Sequence, residues 1–178
     1  MRMMLKRESY LSTNFKTPSD EGGQRFIEGY FIKYGVETEL WEGFYELIEK
    51  EAVEKALDRN PDVRALFNHD SNICLGITGN ETLKLKSDDI GLFGVCEINN
   101  ADPDAVGAHG RIERQDVNGC SFGFFELGFE MVEKKDGTIE PVNGEVVDGK
   151  FVFTVDGFSN FVALVEKNAP KEEVKVDK

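Results

Sequence analysis

The chain has 178 residues, 40% of them hydrophobic, which suits one domain with a real core. Its 34 Asp and Glu outnumber 21 Lys and Arg, so the net charge is −13. Such a surface brings no cation array to a phosphate backbone, which argues against nucleic acid as a partner, and no apolar run reaches the roughly 20 residues of a membrane helix. The three cysteines, Cys74, Cys96 and Cys120, are odd in number and widely spaced. That pattern predicts reduced thiols in a cytoplasmic setting. The basic start, Met1 to Arg7, has no hydrophobic segment behind it, so no secretory leader is expected.

Residues 1–24 read as an N-terminal extension, with a turn at Thr17-Pro18-Ser19-Asp20-Glu21-Gly22-Gly23. Arg25 to Tyr34 is rich in aromatic and β-branched residues and reads as a strand. Phe26, Tyr30, Ile32 and Tyr34 share one parity there, and Gly29 interrupts the other. Residues 37–51 fit a helix through Phe44, Leu47, Ile48 and Ala52 and fit a strand through Phe44, Glu46 and Ile48. Glu51 to Leu57 is helical, with Val53, Ala56 and Leu57 on one face, and Asn60-Pro61 ends it. Val63, Ala65 and Phe67 alternate as in a strand that runs into the polar end Asn68-His69-Asp70-Ser71-Asn72. Leu83 to Lys86 and Ile90 to Ile98 are two further strands around a turn at Ser87-Asp88-Asp89.

A helix is predicted to open at Asp102, as N-cap, with Pro103 at N1, and to run to about Arg114. A turn then delivers the chain to Gly119-Cys120-Ser121-Phe122-Gly123-Phe124-Phe125, a buried aromatic strand with a hydroxyl inside it. The apolar parity changes at Phe124-Phe125, which predicts a bulge there. Lys134-Lys135-Asp136-Gly137 reads as a hairpin turn, and Phe151 to Val155 and Phe161 to Val165 as the last strands. The domain closes at Glu166, and the charged residues 167–178 read as a disordered tail. The fold class is mainly β with helices (α+β), as an antiparallel β-barrel or curled sheet with helices packed outside.

A serine nucleophile needs a base, and the chain holds only two histidines. His69 stands where a strand gives way to a loop, whereas His109 falls inside the glycine-weakened helix. Either is also compatible with a structural role. Period-two alternation puts Cys120 with Phe122 and Phe124 on the core face and Ser121 on a cleft face, which favours serine over cysteine as nucleophile. His69, Asp70 and Cys74 lack the second paired set of a zinc site, so no metal and no cofactor are expected.

These residues resemble the prohead (capsid maturation) protease family of tailed bacteriophages. The likeness spans most of residues 25–125 as an ordered set: Glu28-Gly29-Tyr30, then Trp41-Glu42-Gly43-Phe44-Tyr45-Glu46, the helix Glu51 to Leu57, and Asp62-Val63-Arg64-Ala65-Leu66-Phe67-Asn68-His69-Asp70. Leu75-Gly76, Thr82-Leu83-Lys84-Leu85, Asp89-Ile90-Gly91-Leu92 and Cys120-Ser121-Phe122-Gly123-Phe124 complete it. The resemblance implies a serine endopeptidase with a barrel similar to the herpesvirus assembly proteases. It implies Ser121 as nucleophile, His69 as general base, and a third residue on a later strand. The family's Leu-x-Glu-Val-Ser stretch is not readable here, and Asp156 is taken as that residue, with Asn160 the alternative. Arg64 and Arg111 are the arginines considered for the oxyanion, beside backbone N–H groups. The implied substrates are the scaffold segment of a major capsid protein or a separate scaffold protein, and the enzyme itself. The implied setting is the assembling procapsid in the host cytoplasm, with self-association to a dimer as a further expectation. An inert scaffolding module of the same fold is the competing reading.

Overall fold

The computed structural model describes residues 11–12, 15–41, 44–59, 61–126, 131–133, 135, 139–141, 144–147, 150–155 and 158–166. In chain order these form β1 (Leu11–Ser12), β2 (Phe26–Lys33), β3 (Thr38–Trp41), β4 (Phe44–Ile48), α1 (Lys50–Asp58), β5 (Arg64–Phe67) and β6 (Cys74–Ile77). A 3-10 turn at Thr78–Asn80 leads to β7 (Leu83–Ser87), β8 (Gly91–Glu97), α2 (Pro103–Glu113) and β9 (Gly119–Glu126). The chain then gives β10 (Met131–Glu133), β11 (Ile139–Pro141), β12 (Gly144–Val147), β13 (Lys150–Val155) and β14 (Phe158–Glu166).

The strands sort into four sheets, ordered β1-β9-β14-β5-β6, β12-β13-β4-β3, β2-β8-β7 and β10-β11. Mixed α+β architecture with few helices matches the sequence reading; a closed barrel does not form among the described residues. Closure needs the outer strands to pair, and β1 and β6 stand at opposite edges of their sheet. The pairing is also not wholly antiparallel, because β14 runs parallel to β5 and β13 parallel to β4. Residues 37–51, ambiguous by pattern, form the antiparallel pair β3 and β4 before the helix begins. The aromatic residues Trp41, Phe44 and Tyr45 there favour an extended chain, and Lys50 starts the run of good helix formers.

The core face of β2 is Ile27, Gly29 and Phe31, the parity opposite to the one its aromatic residues suggest. Gly29 belongs to that face because its missing side chain leaves room for the ring of Phe15. A register shift against β8 between Tyr30 and Ile32 then turns Ile32 inward as well. Leu83 of β7, Leu92 and Cys96 of β8, Ala65 of β5 and Phe122 of β9 join this core. From the helices come Ala52, Val53 and Ala56 of α1 and Ala105, Ala108 and Ile112 of α2. Helix α1 rests on β14 and β7. It is tied to the β7–β8 hairpin where Ser87 Oγ donates to Glu54 at 3.0 Å and Lys50 donates to Asp89 at 2.7 Å.

Helix α2 begins as predicted, with the Asp102 carboxylate accepting from the Asp104 N–H at 2.9 Å and Pro103 following the cap. Its end is built for a sharp exit. Asp116 N–H and Val117 N–H both donate to the Arg111 carbonyl, at 2.8 and 3.3 Å, around Gln115 at φ 65°. This closure aims the chain into β9.

Candidate active site

Strand β9 lies inside the five-stranded sheet, between β1 and β14. Register places Ser121 opposite Leu164 of β14, Leu164 opposite Leu66 of β5, and Leu66 opposite Cys74 of β6. A neighbouring row joins Cys120, Val165 and Phe67. The predicted irregularity at Phe124-Phe125 is present, but the extra residue sits on the partner: the two steps from Glu126 to Phe124 match three from Phe158 to Phe161.

His69 arrives from the other side of β14. Strand β5 ends at Phe67, and Asn68 and His69 then take left-handed backbone conformations, at φ 52° and 57°. Two such residues in succession reverse the chain; asparagine tolerates the conformation, whereas for histidine it is uncommon. Asp70 fastens the reversal. Its N–H donates to the Phe67 carbonyl, its carbonyl accepts from Ile73 N–H, and Phe67 N–H donates to the Ile73 carbonyl, each at 3.0 Å. Its carboxylate accepts from the backbone and side-chain nitrogens of Asn72 at 2.9 and 2.8 Å.

The outcome is a contact between residues 52 positions apart, with Ser121 Oγ 2.7 Å from His69 Nε2. That is the reach a base needs to take a hydroxyl proton. The other ring nitrogen, Nδ1, is buried away from water. The expectation that Ser121 faces a cleft while Cys120 faces the core is corrected here: both are 0% exposed. An interior strand is covered on both faces, so alternation separates the two side chains without opening either to solvent. It is Ser121 that meets the imidazole, while the Cys120 thiol donates to the carbonyl of Ser121 at 3.6 Å. Among the other thiols, burial pushes Cys96 up to about 12, with the Cys74 thiol and Glu97 adding to the rise. Cys96 therefore stays protonated at neutral pH.

The remaining sequence candidates are scattered. Arg64 opens β5 at the end away from His69 and lies 3.5 Å from the Asp62 carboxylate. Arg111 sits over the Phe67 ring, 5.6 Å from its centroid, at the His69 end of β5. His109 is buried within α2, apart from the serine. Asp156 lies outside the described residues. Asn160 lies in the irregular stretch of β14, four positions before Leu164 and so about 13 Å along the strand from the Ser121 row. The acidic position of β14 nearest the site is Glu166, opposite Gly119. It stands two residues past Leu164, shares the register parity of Ser121, and lies at the end where the His69 loop returns. Its signal was in the sequence as Leu164-Val165-Glu166, a Leu-x-Glu run without the Val-Ser that would have marked it. Among the described residues no cluster of three or more His, Cys, Asp and Glu side chains is placed to hold a metal ion.

The sequence model of a family described as Caudovirus prohead serine protease matches residues 13–146. No curated protein matches the chain. Among solved structures, that of the bacteriophage T4 capsid assembly protease is similar, at 16% identity and a TM-score of 0.44, over 91% of this chain and 96% of that one.

Proposed function

The chain belongs to the Caudovirus prohead serine protease family, and from that premise we propose that it is a serine endopeptidase acting through Ser121 and His69. The observation that carries this reading is the 2.7 Å contact between Ser121 Oγ and His69 Nε2. In the proposed reaction Ser121 Oγ attacks a peptide carbonyl while His69 Nε2 accepts its proton. His69 returns that proton to the leaving amine, and water then hydrolyses the acyl-enzyme by the same relay. Backbone N–H groups stabilise the oxyanion. A carboxylate holds the imidazole in the tautomer that leaves Nε2 free to accept. Register supports Glu166 for this role over Asn160, while Asp156, the residue taken first from the resemblance, lies outside the described residues. The substrates we propose are scaffold or capsid-protein segments, the chain itself included, inside the phage procapsid.

The test is co-expression with the cognate capsid protein. Ser121→Ala and His69→Ala are expected to abolish processing, with kcat/KM on a cleavable peptide reduced roughly 10³-fold or more. Normal processing by both variants would overturn the assignment and leave the inert scaffolding module standing. Glu166→Gln is expected to lower kcat by roughly 10²- to 10⁴-fold with little change in KM. The matching substitution Asp156→Asn is expected to leave kcat within about threefold of the unmodified chain, well short of the 10² that would signal an imidazole partner.

A further inference from the structure

We propose that Cys74 and Cys96 form a redox-responsive pair, which closes into a disulfide when a low-molecular-weight disulfide reaches Cys74; this stands independently of the peptidase reading. Neither residue is in a disulfide in the structure. Cys74 opens β6 and Cys96 lies in β8, so the pair spans two sheets. Both thiols meet at Gly76. The Cys74 thiol donates to the Gly76 carbonyl at 3.5 Å, and a Cβ at Gly76 would lie 2.6 Å from Cys96 Sγ. The missing side chain keeps the space beside both sulfurs clear and lets the strands approach. Strands β6 and β8 come within 8 Å between Cα atoms, where stacked sheets ordinarily stand about 10 Å apart. A disulfide asks for Cα atoms within roughly 7 Å, so the two strands already stand at bridging scale.

The two thiols differ in access, which orders the chemistry. Cys74 is half-buried and lines a cavity of about 570 Å³, whose walls include Gly76, Thr82, Glu97 and Ile98. Cys96 is 0% exposed. A small disulfide therefore reacts at Cys74 first. The Cys74 thiolate attacks one sulfur of the reagent, the reagent's S–S bond breaks, and one small thiolate leaves and takes up the proton that Cys74 gave to solvent. Cys96 then loses its own proton, and its thiolate attacks the Cys74 sulfur. The mixed disulfide breaks, and the second small thiolate leaves and is protonated. Two protein thiols are oxidised by two electrons, and the reagent is reduced to two thiols.

The second step is the slow one. Burial pushes Cys96 up to about 12, with Cys74 and Glu97 adding to the rise, so little thiolate is present at neutral pH. Once Cys74 is capped, burial and Glu97 remain, and closure of the capped chain should speed up about tenfold per unit between roughly pH 7 and pH 9. A reducing, glutathione-rich cytoplasm keeps such a pair open, and an oxidising surrounding closes it. Closure has a structural consequence. Cys74 directly follows Ile73, whose carbonyl accepts from Phe67 N–H at the base of the hairpin that carries His69. The bond would anchor that hairpin to the β2-β8-β7 sheet and close a loop of roughly twenty residues, which restricts the unfolded chain.

The experiment treats the native full chain with bis(2-hydroxyethyl) disulfide, a small neutral reagent that the nearby Glu97 does not repel. The digest is then mapped by mass without reduction. The expected product is a peptide joining Cys74 to Cys96, two hydrogens lighter than its parts, and dithiothreitol should return both free thiols. Cys96→Ala should stop at the mixed disulfide on Cys74, and Cys74→Ala should leave Cys96 unmodified. The urea midpoint of the closed chain should exceed that of the reduced one. A wild-type chain that stops at the mixed disulfide overturns the inference. So does a link that runs through Cys120, or one that forms in urea but not in the native chain. A closed form with a lower urea midpoint than the reduced chain also overturns it, because the bond would then strain the fold.

Discussion

The two histidines show how environment divides one residue type between roles. His69 stands on a reversed loop and meets a hydroxyl. His109, 4% exposed, is enclosed by the packing of α2, and its Nε2 has no hydrogen-bond partner. Burial holds its pKa below the ordinary histidine range. Glu113 opposes that shift, the Arg25 guanidinium reinforces it, and a hydrogen bond to the Phe26 backbone opposes it again. The folded chain therefore keeps His109 neutral where the unfolded chain would protonate it. Its contribution to stability is complete above about pH 6.5 and is lost as pH falls below that value toward the depressed folded pKa. Urea midpoints measured between pH 7.5 and 5.5 should drop toward acid, and His109→Gln should flatten that slope. An unchanged slope in the variant would assign the acid sensitivity to other groups.

At the scale of elements, the β2–β8 pair shows what spacing alone hides. Gly29 and Gly94 are register partners across it. A Cβ at Gly29 would lie 2.6 Å from the Phe15 ring, and one at Gly94 2.4 Å from the Phe31 ring. The rings themselves pack edge to face, 5.3 Å between centroids at 61°. Two glycines thus admit two phenylalanines. Gly29→Ala and Gly94→Ala should each cost about 1–3 kcal/mol by overpacking, measured as a fall in urea midpoint at unchanged slope. The pattern of residues 25–34 made the strand legible but not its core face, because Phe26, Tyr30 and Tyr34 are half-exposed and the buried parity contains a glycine. The Asp102–Pro103 helix start was legible because capping chemistry is local. Strand β6 was not, since Cys74-Leu75-Gly76-Ile77 is short and does not alternate. The parallel pairing of β14 with β5 was equally hidden, since nothing local marks a partner about a hundred residues away.

For the whole molecule, the decisive element is the last strand described. Ser121 is on β9 and the His69 loop follows β5, but those strands do not pair with each other; β14 lies between them and pairs with both. The family match ends at residue 146, so the strand that brings Ser121 and His69 together lies beyond the matched segment. The motifs that pointed to Ser121 and His69 lie inside the matched segment, whereas Asp156 and Asn160 lie beyond it. Ser121 and His69 sit in short local runs, whereas the position proposed behind the imidazole depends on where β14 docks. Helix α1 also rests on β14, so its loss would uncover the buried face formed by Ala52, Val53 and Ala56 as well as separate β9 from β5. A chain ending at residue 166 should keep a single cooperative unfolding transition and cleave peptides at a rate within about twofold of the full chain. One ending at 157 should lose both, exposing apolar surface that binds a hydrophobic dye and leaving Ser121 without its contact to His69. If the shorter chain still unfolds cooperatively and still cleaves, then β14 is not what assembles the site, and the assignment of Glu166 fails with it.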